Sequence, residues 1–267
     1  MSVAAEPAAP AYLVPPAPSA WHRLNPLTRL VAATVTAVNA TLLGGVLGPV
    51  VLAAVAVLLP GLLARVLGQL LRVGLLLALP LAISVLIVNV FFFPSGNIIL
   101  FQLGPIVATA EGVAFAIETL VRLLAITGAL TLFYLTTPIG SLVVDLERRG
   151  VSPRMAFVVS SAVRTVPAIL ERAGQIADAQ RARGLDTESS LWRRIRGLLP
   201  LVGPVLLGSI GEVEERAMAL EARGFSHPGR RSLLWAPADR GWERIARWLM
   251  VLTVPLIIVA HLAGWLP

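Results

Sequence analysis

The sequence predicts an all-α polytopic membrane protein with about five transmembrane helices and long amphipathic helices in the cytoplasm. Three observations predict this fold class. Hydrophobic residues make up 57% of the chain and charged residues only 14%, whereas soluble domains contain about 25% charged residues. Several uncharged apolar runs approach the ~20 residues that span a bilayer. One long arginine-rich segment repeats apolar residues with the period of an α-helix.

The charged and reactive residues exclude several functions for the chain by itself. All 22 basic residues are arginine, and a P-loop ATPase needs a lysine on the nucleotide phosphates. The absence of cysteine excludes disulfides and thiolate metal sites. Because no nucleophile stands beside a base, we predict that the chain is not an enzyme. The three histidines are far apart and predict no metal site: His22, His227 and His261.

The first half of the chain is predicted to hold a disordered lead and four transmembrane helices. Residues 1–25 are the predicted lead, since an Ala- and Pro-rich stretch cannot build a core. Residues 26–136 are predicted to hold transmembrane helices 1–4. The first two, Leu27–Leu43 and Val46–Leu59, are each shorter than a full span. They are compatible with two short spans or with one tilted hairpin.

Two longer apolar spans follow, Leu75–Phe93 and Val113–Leu135. The second contains Glu118 and Arg122, whose spacing and order favour an ion pair along one helix face. Charged side chains inside a span are functional candidates, because an unpaired charge in lipid is costly. Since this pair lies close to one end of the span, a structural pair or a partner contact is favoured over a proton relay.

Residues 137–230 are predicted to form helices outside the bilayer core. Thr137-Pro138 and Ser152-Pro153 each combine an N-cap with a proline that begins a helix. The first of these helices is short and amphipathic, as expected at a membrane surface. The second is long, carries Arg164 on its polar face and is expected to kink at Pro167.

Another long helix is predicted to begin near Trp192 and to contain an apolar part, Leu198–Ile210, that is too short to span a bilayer. We expect this part to pack against the membrane face or against the preceding long helix. Residues 231–267 are predicted to form a linker and the last transmembrane helix, from Trp248 to about Trp265.

The distribution of arginine predicts the orientation. Seventeen of the 22 arginines lie between Arg148 and Arg247. The positive-inside rule therefore places this segment and the N-terminus in the cytoplasm and the C-terminus outside. The same topology explains the net charge of +7 without a nucleic-acid partner.

A short motif occurs twice, once at the predicted end of each long helix. Residues 177–184 and 217–224 share their alanines, arginine and glycine. The glycine suits a left-handed residue that ends a helix, which makes the preceding arginine the last helical residue. A slim helix tip with one permanently charged fork suits a groove on another protein. The alternative is a cation that only complements the helix dipole, but two copies favour the functional interpretation.

These residues resemble the transmembrane T component of energy-coupling factor (ECF) transporters, over nearly the whole chain from Asn25 to the last span. The paired Ala-Arg-Gly motifs are the family's signature. The entry segment is a weaker match, because the family often has an acidic residue where this chain has Asn25. The other matching positions are Pro26-Leu-Thr-Arg29, Thr136-Thr-Pro138, Gly150-Val-Ser-Pro153, Arg164 and Pro167.

The resemblance implies a function and a set of partners. A T component joins two ABC-type ATPases, which bind ATP and magnesium, to a membrane S component that captures a vitamin, cobalt or nickel. The chain itself then needs no cofactor and lies in the cytoplasmic membrane of a bacterium or archaeon. The implied ATPase-binding residues are Ala182, Arg183, Gly184, Ala222, Arg223 and Gly224. Possible coupling or S-component contacts are Glu118, Arg122, Arg164 and Pro167.

Three other functions are compatible with parts of the sequence. A substrate-conducting permease would need polar or broken spans around a midplane site, for which only Asn89 and the Glu118/Arg122 pair are candidates. A membrane-embedded enzyme would need a catalytic cluster that the sequence does not contain. A static scaffold would bind the same partners without transmitting motion.

Overall fold

The computed structural model describes residues 19–91, 98–103, 106–183, 191–227 and 237–264. As predicted, these residues are almost entirely helical. The chain divides into two compact units. Unit 1 comprises Met1–Asp145 and Pro237–Pro267, and unit 2 comprises Leu146–Ala236.

The start of the described chain is ordered and packed. Trp21–Arg23 form one turn of 3₁₀-helix, and Asn25 is 1% exposed. The Asn25 side chain accepts a hydrogen bond from the Leu27 amide and caps α1, Pro26–Leu42. The predicted disordered lead, 1–25, is therefore too long at its C-terminal end, because burial and capping order its last residues. Residues 1–18 lie outside the described part.

The two short apolar segments predicted at 27–59 both form helix. Helix α1 has 17 residues, about 25 Å at 1.5 Å per residue, less than the ~30 Å hydrocarbon core. The second segment starts as α2, Leu47–Ala53, continues through a π-helical turn, Ala54–Leu58, and ends as α3, Leu59–Leu63. The prediction that both halves are shorter than a full span is confirmed.

Three helices of unit 1 are long and apolar enough to cross a membrane. They are α4, Leu67–Phe91, α5, Ala110–Thr136, and α9, Gly241–Leu262. Helices α4 and α9 begin seven to eight residues before the predicted spans, because a helix continues through the charged residues that end an apolar run. Helix α4 leaves most of its leucines exposed, as expected for a surface that faces lipid.

The segment between α4 and α5 contains a short β-hairpin that the sequence did not predict. Strands β1, Ile99–Leu103, and β2, Ile106–Thr109, pair antiparallel. Both strands are short and apolar, and such runs lack the alternation that distinguishes a strand from other apolar segments.

The core of unit 1 lies where the segment from α2 to α3 packs against α4 and α5. Its buried residues are Val57, Ala64, Val66, Leu70, Ala129 and Leu132. Gly128 lets α5 approach the turn between α2 and α3 closely, because a Cβ atom there would lie 2.8 Å from Val57 Cγ1. Helix α1 packs on the other side between α5 and α9, where the Asn39 amide donates to Thr253 Oγ1 over 2.7 Å.

Unit 2 contains two long helices. The short α6, Ile139–Arg148, includes the boundary between the units. Ser152 caps α7, Pro153–Ala182, as predicted, and α8 is Leu191–Ala222. The predicted cap at Thr137 is wrong. The Pro138 carbonyl accepts the first hydrogen bonds of α6, and Thr137 Oγ1 has no partner in the described chain.

Replacing Gly128 by alanine is expected to destabilise unit 1 by roughly 1–3 kcal/mol, because the added methyl overlaps the stiff, β-branched Val57. Thermal unfolding in detergent measures the effect, and Val57→Ala in the same chain should restore most of it. Gly68→Ala is the matched control, since a Cβ atom there meets nothing within 4 Å. A Gly128→Ala protein as stable as the wild type would contradict this packing.

Candidate coupling sites

The second Ala-Arg-Gly motif forms a complete helix-ending structure. Helix α8 ends at Ala222, and Gly224 has a φ of +74°, which confirms the predicted left-handed glycine. The Gly224 amide donates to the Glu221 carbonyl and the Phe225 amide to the Leu220 carbonyl, each over 2.9 Å. These two bonds define a Schellman motif, which satisfies carbonyls at the end of the helix.

The first motif ends α7 at the equivalent position. Ala182 is the last helical residue, and Arg183 follows as the C-cap with φ −89° and ψ 7°. Each arginine therefore lies one residue beyond the last helical residue, Ala182 or Ala222. The prediction that the arginines are the last helical residues is wrong by one position, because the C-cap residue no longer continues the helical hydrogen bonding. Gly184 lies outside the described residues, so its predicted left-handed conformation stays a prediction.

Both motif tips are exposed. The described alanine and arginine of each motif are open to solvent: Ala182, Arg183, Ala222 and Arg223. Within the described chain neither Arg183 nor Arg223 forms an ion pair or a side-chain hydrogen bond. Other arginines of the two helices do, including Arg181 with Asp178. The two guanidinium groups are therefore available to a partner.

Contacts between α7 and α8 show that the two helices run antiparallel. Near the start of α7, the Phe157 ring packs edge-on against Phe225, with ring centroids 5.0 Å apart. Further along α7, Arg172 Nη1 lies 3.0 Å from Glu212 Oε2. Glu212 Oε1 also accepts from Arg216 Nη2 over 2.6 Å. Residues late in α7 therefore face residues earlier in α8.

This arrangement puts the two motif tips at opposite ends of the helix pair. The second tip is next to Phe225 in sequence, and Phe225 packs on Phe157 near the start of α7. The first tip lies about 26 helical residues further along α7, or roughly 40 Å at ~1.5 Å per residue. The sequence showed that the motif is repeated, but only the contacts show that its copies are far apart.

Glu118 and Arg122 form the predicted ion pair in α5. Arg122 also donates from Nε and Nη2 to the Leu43 carbonyl over 3.3 and 3.2 Å. Glu118 accepts from the Gly45 amide over 3.0 Å. The pair thus satisfies backbone groups in the turn between α1 and α2, where a lipid environment offers no water. The geometry favours the structural interpretation of the pair.

A cavity of about 520 Å³ opens beside this pair. Apolar side chains of α1 and α9 line it together with Glu118, Arg122 and His261. No group of three or more His, Cys, Asp or Glu residues able to hold a metal occurs in the described chain.

The remaining candidates do not gather at one site. Arg164 and Pro167 are exposed on α7, which continues as one helix across Pro167. The predicted kink and the coupling roles of both residues stay predictions. The Asn89 amide donates to the Val85 carbonyl one turn back over 2.8 Å.

A buried polar cluster in unit 1 was missed by the sequence analysis. It joins the first turn of α1, the end of α6 and the first turns of α9. We call it the buried clasp, and its residues are Asn25, Thr28, Asp145, Asp239, Glu243 and Arg247. Asp145 and Glu243 are 0% exposed. Asn25 and Thr28 belong to the entry segment that gave a weaker sequence match, and their long-range partners leave no local sequence signal.

Hydrogen bonds in the buried clasp converge on α1. The Asn25 backbone amide donates to Glu243 Oε2 over 2.8 Å, and the Thr28 hydroxyl donates to the same oxygen over 3.1 Å. Arg247 Nη1 donates to the Thr28 oxygen over 2.9 Å, and Arg247 Nη2 to Asp239 Oδ1 over 2.8 Å. Charge-assisted bonds of this kind are strong when they are removed from water.

The C-terminal end of α5 is hydrogen-bonded to the 3₁₀ turn and the first turn of α1. Arg29 donates from Nη1 to the Thr136 carbonyl, where a cation also complements the C-terminal end of the helix dipole. Trp21 Nε1 donates to Thr136 Oγ1 over 3.3 Å. Burial, and then the positive charge of Arg29, lower the pKa of the nearby His22 imidazole.

Residues 18–233 match the family model described as CbiQ, cobalt transport protein, which is well over half of the chain. The chain belongs to the CbiQ family. It is also similar to proteins named energy-coupling factor transporter transmembrane protein EcfT. The EcfT of Limosilactobacillus fermentum is 30% identical over 195 residues, covering 70% of this chain and 71% of that protein.

Two further EcfT relatives align over more of the chain. The protein of Thermosediminibacter oceani is 30% identical over 224 residues, or 79% of this chain and 82% of that protein. The protein of Acidaminococcus fermentans is 31% identical over 245 residues, or 84% and 87%. These similarities confirm the resemblance inferred from the paired motifs. With the apolar helices of unit 1, they identify this CbiQ family member as a membrane protein.

Replacing Gly224 by alanine is expected to fray the second tip. A side chain at this left-handed position costs ~1–2 kcal/mol, so the Phe225 amide should exchange its hydrogen faster in a hydrogen–deuterium exchange experiment. Gly211→Ala is the matched control within α8, where a Cβ atom meets nothing within 4 Å and alanine favours the helix. Unchanged exchange at Phe225 in the Gly224→Ala protein would refute the Schellman ending.

Proposed function

We propose that this chain is the T component of an ECF-type importer. In this role it transmits the ATP-driven motion of two ABC-type ATPases to an S component that captures a vitamin, cobalt or nickel. One structural observation supports this function in addition to the family membership. Two exposed arginine tips, Arg183 and Arg223, lie at opposite ends of one antiparallel helix pair.

The separation of the tips suits two ATPase subunits. Two tips about 40 Å apart allow one globular subunit to bind each tip without a clash. Each arginine offers a planar, permanently charged group that can pair with a carboxylate or a backbone carbonyl in a groove. The Schellman ending of α8 fixes the backbone beneath Arg223, so binding there orders less of the chain.

The contacts between α7 and α8 support transmission of motion along the pair. Phe157–Phe225 and Arg172–Glu212 connect the helices at two levels. When the bound ATPases move the two arginine tips, α7 and α8 slide against each other along these contacts. Small sliding movements of packed helices are a known way to pass a change of conformation between sites.

The chemistry of ATP hydrolysis belongs to the partners in this proposal. The chain has no lysine and hence no P-loop, so ATP and magnesium are bound by the ATPases and this subunit is not catalytic. The arginine distribution supports a cytoplasmic location for unit 2 and the N-terminus. The protein is then a multi-pass subunit of the bacterial or archaeal cytoplasmic membrane, and it contacts lipid and the S component but no nucleic acid.

The cavity beside Glu118 and Arg122 is the observation that favours a permease. Both side chains, however, already bind backbone groups of the turn between α1 and α2. Moving either group to a substrate would leave those backbone groups unpaired. The coupling function is therefore better supported.

Removing the tip arginines is expected to release the ATPases. The chain is purified in detergent with the ABC-type ATPase subunits of its own transporter, as wild type, Arg183→Ala, Arg223→Ala and the double variant. Truncating one partner of a buried, hydrogen-bonded charge pair at an interface costs about 2–5 kcal/mol, and the proposed groove buries each arginine in this way. Each single variant should therefore retain clearly less ATPase, and the double variant almost none.

Arg181→Ala is the matched control for this experiment, because it removes the same charge two residues from the first tip and already pairs with Asp178. It should retain the ATPases. A wild type that binds no ATPase, or a double variant that binds like the wild type, would contradict the proposed function.

A distance measurement distinguishes a coupler from a static scaffold. The absence of cysteine allows spin labels at Gln175→Cys on α7 and Glu215→Cys on α8, both exposed positions. In the complex with its ATPases, the distance between the labels should change by ~2 Å or more between the nucleotide-free and the vanadate-trapped state. Identical distance distributions in both states would indicate a scaffold.

A further inference from the structure

The chain crosses between its two units at only two places, and the buried clasp lies at both. The first crossing is between Asp145 and Leu146, and the second is between Ala236 and Pro237. Asp145 is itself a clasp residue. Ala238 and Asp239 follow the second crossing by two and three residues, and both take part in clasp hydrogen bonds.

One side-chain amide connects the two crossings. Asn25 Nδ2 donates to Asp145 Oδ1 over 3.1 Å and to the Ala238 carbonyl over 3.2 Å. The other atoms of Asn25 hold α1 and α9. Its Oδ1 accepts from the Leu27 amide over 2.9 Å, and its backbone amide donates to Glu243 over 2.8 Å. Every hydrogen-bonding group of this side chain is thus used.

We propose that the buried clasp is the fixed joint through which motion of unit 2 reaches the transmembrane helices, with Asn25 as its positioning residue. Both connections between the units leave unit 1 at or next to residues of this one buried cluster. A pull on either connection is therefore passed to the clasp and on to α1 and α9. This inference rests on the proposed function, since it names the path of the transmitted motion.

Burial gives the clasp the required stiffness. Three of its carboxylates are shielded from solvent, at Asp145, Asp239 and Glu243, and a buried hydrogen-bonded charge is costly to separate from its partner. The exposed ion pairs of unit 2 resist separation far less. Under load, the clasp is expected to hold its geometry while unit 2 moves.

The substitution Asn25→Asp changes the hydrogen bonds of the clasp but keeps the N-cap of α1. An aspartate keeps the oxygen that caps α1, and aspartate is as good a helix cap as asparagine. It loses both donated hydrogen bonds and places a carboxylate against Asp145. The family often has an acidic residue at this position, so an acid there is compatible with the fold. The variant therefore tests whether residue 25 must donate a hydrogen bond to Asp145.

The complete transporter, with its ATPases and S component, carries spin labels in two pairs. The first pair, Gln175→Cys and Glu215→Cys, reports motion within unit 2. The second pair, Leu86→Cys on α4 and Leu252→Cys on α9, uses two exposed positions and reports motion within unit 1. Distances are measured without nucleotide and after vanadate trapping.

In the wild-type background both pairs should change by ~2 Å or more on trapping. In the Asn25→Asp background the unit 2 pair should still change, while the change of the unit 1 pair should fall at least several-fold. The double variant Asn25→Asp/Asp145→Asn restores a donor and the net charge, so it should recover much of the unit 1 response. Arg244→Gln, which removes only the exposed bond to Asp239, should respond like the wild type.

The outcomes separate this inference from the function on which it rests. If the wild-type unit 2 pair does not change, the proposed coupling function fails and the inference with it. If unit 2 responds but the wild-type unit 1 pair does not, or if Asn25→Asp responds like the wild type in both pairs, only the inference is overturned. The inference is supported if the Asn25→Asp protein unfolds and binds the ATPases normally but the distance between its unit 1 labels does not change on trapping.

Discussion

Polar groups that leave water need partners, and unit 1 meets this constraint at both ends of α1. At its start, Asn25 and Thr28 bind the carboxylate of Glu243. At its end, the Leu43 carbonyl and the Gly45 amide are satisfied by the Arg122/Glu118 pair. A lipid environment raises the penalty for any unpaired group. Polar contacts therefore hold helix α1 at both of its ends.

The contacts that hold the two long helices of unit 2 together are more exposed than those of the clasp. Helix α7 has one buried residue, Ala156, and its ion pair to Glu212 is about 40% exposed. Exposed pairs contribute about 0–1 kcal/mol each. A region with few buried contacts opens and shifts at low cost. The chain thus combines a unit held by buried charges with a helix pair whose cross-helix ion pair is exposed.

The sequence predicted what depends on neighbouring residues. Alanine, arginine and glycine at a helix end predicted the tip at Gly224, and the four-residue spacing predicted the Glu118–Arg122 pair. It did not predict the β-hairpin at 99–109, which is too short for a periodic signal, or the buried clasp. Asn25 and Glu243 are 218 residues apart, and each alone is typical of an ordinary helix start. Long-range pairs of this kind become visible only when the fold brings them together.

The antiparallel arrangement of α7 and α8 gives the repeated motif its mechanical meaning. Two tips on the same end of a helix pair would move together, and the pair would only tilt. In the proposed coupling function, Arg183 and Arg223 lie at opposite ends, so two bound partners that approach or separate would drive the helices in opposite directions along their shared contact. The packing of Phe157 on Phe225 would then transfer the movement of the second tip to the start of α7. Because Ser152 caps α7 only four residues after the end of α6, that movement arrives where α7 connects to the membrane-spanning part of the chain.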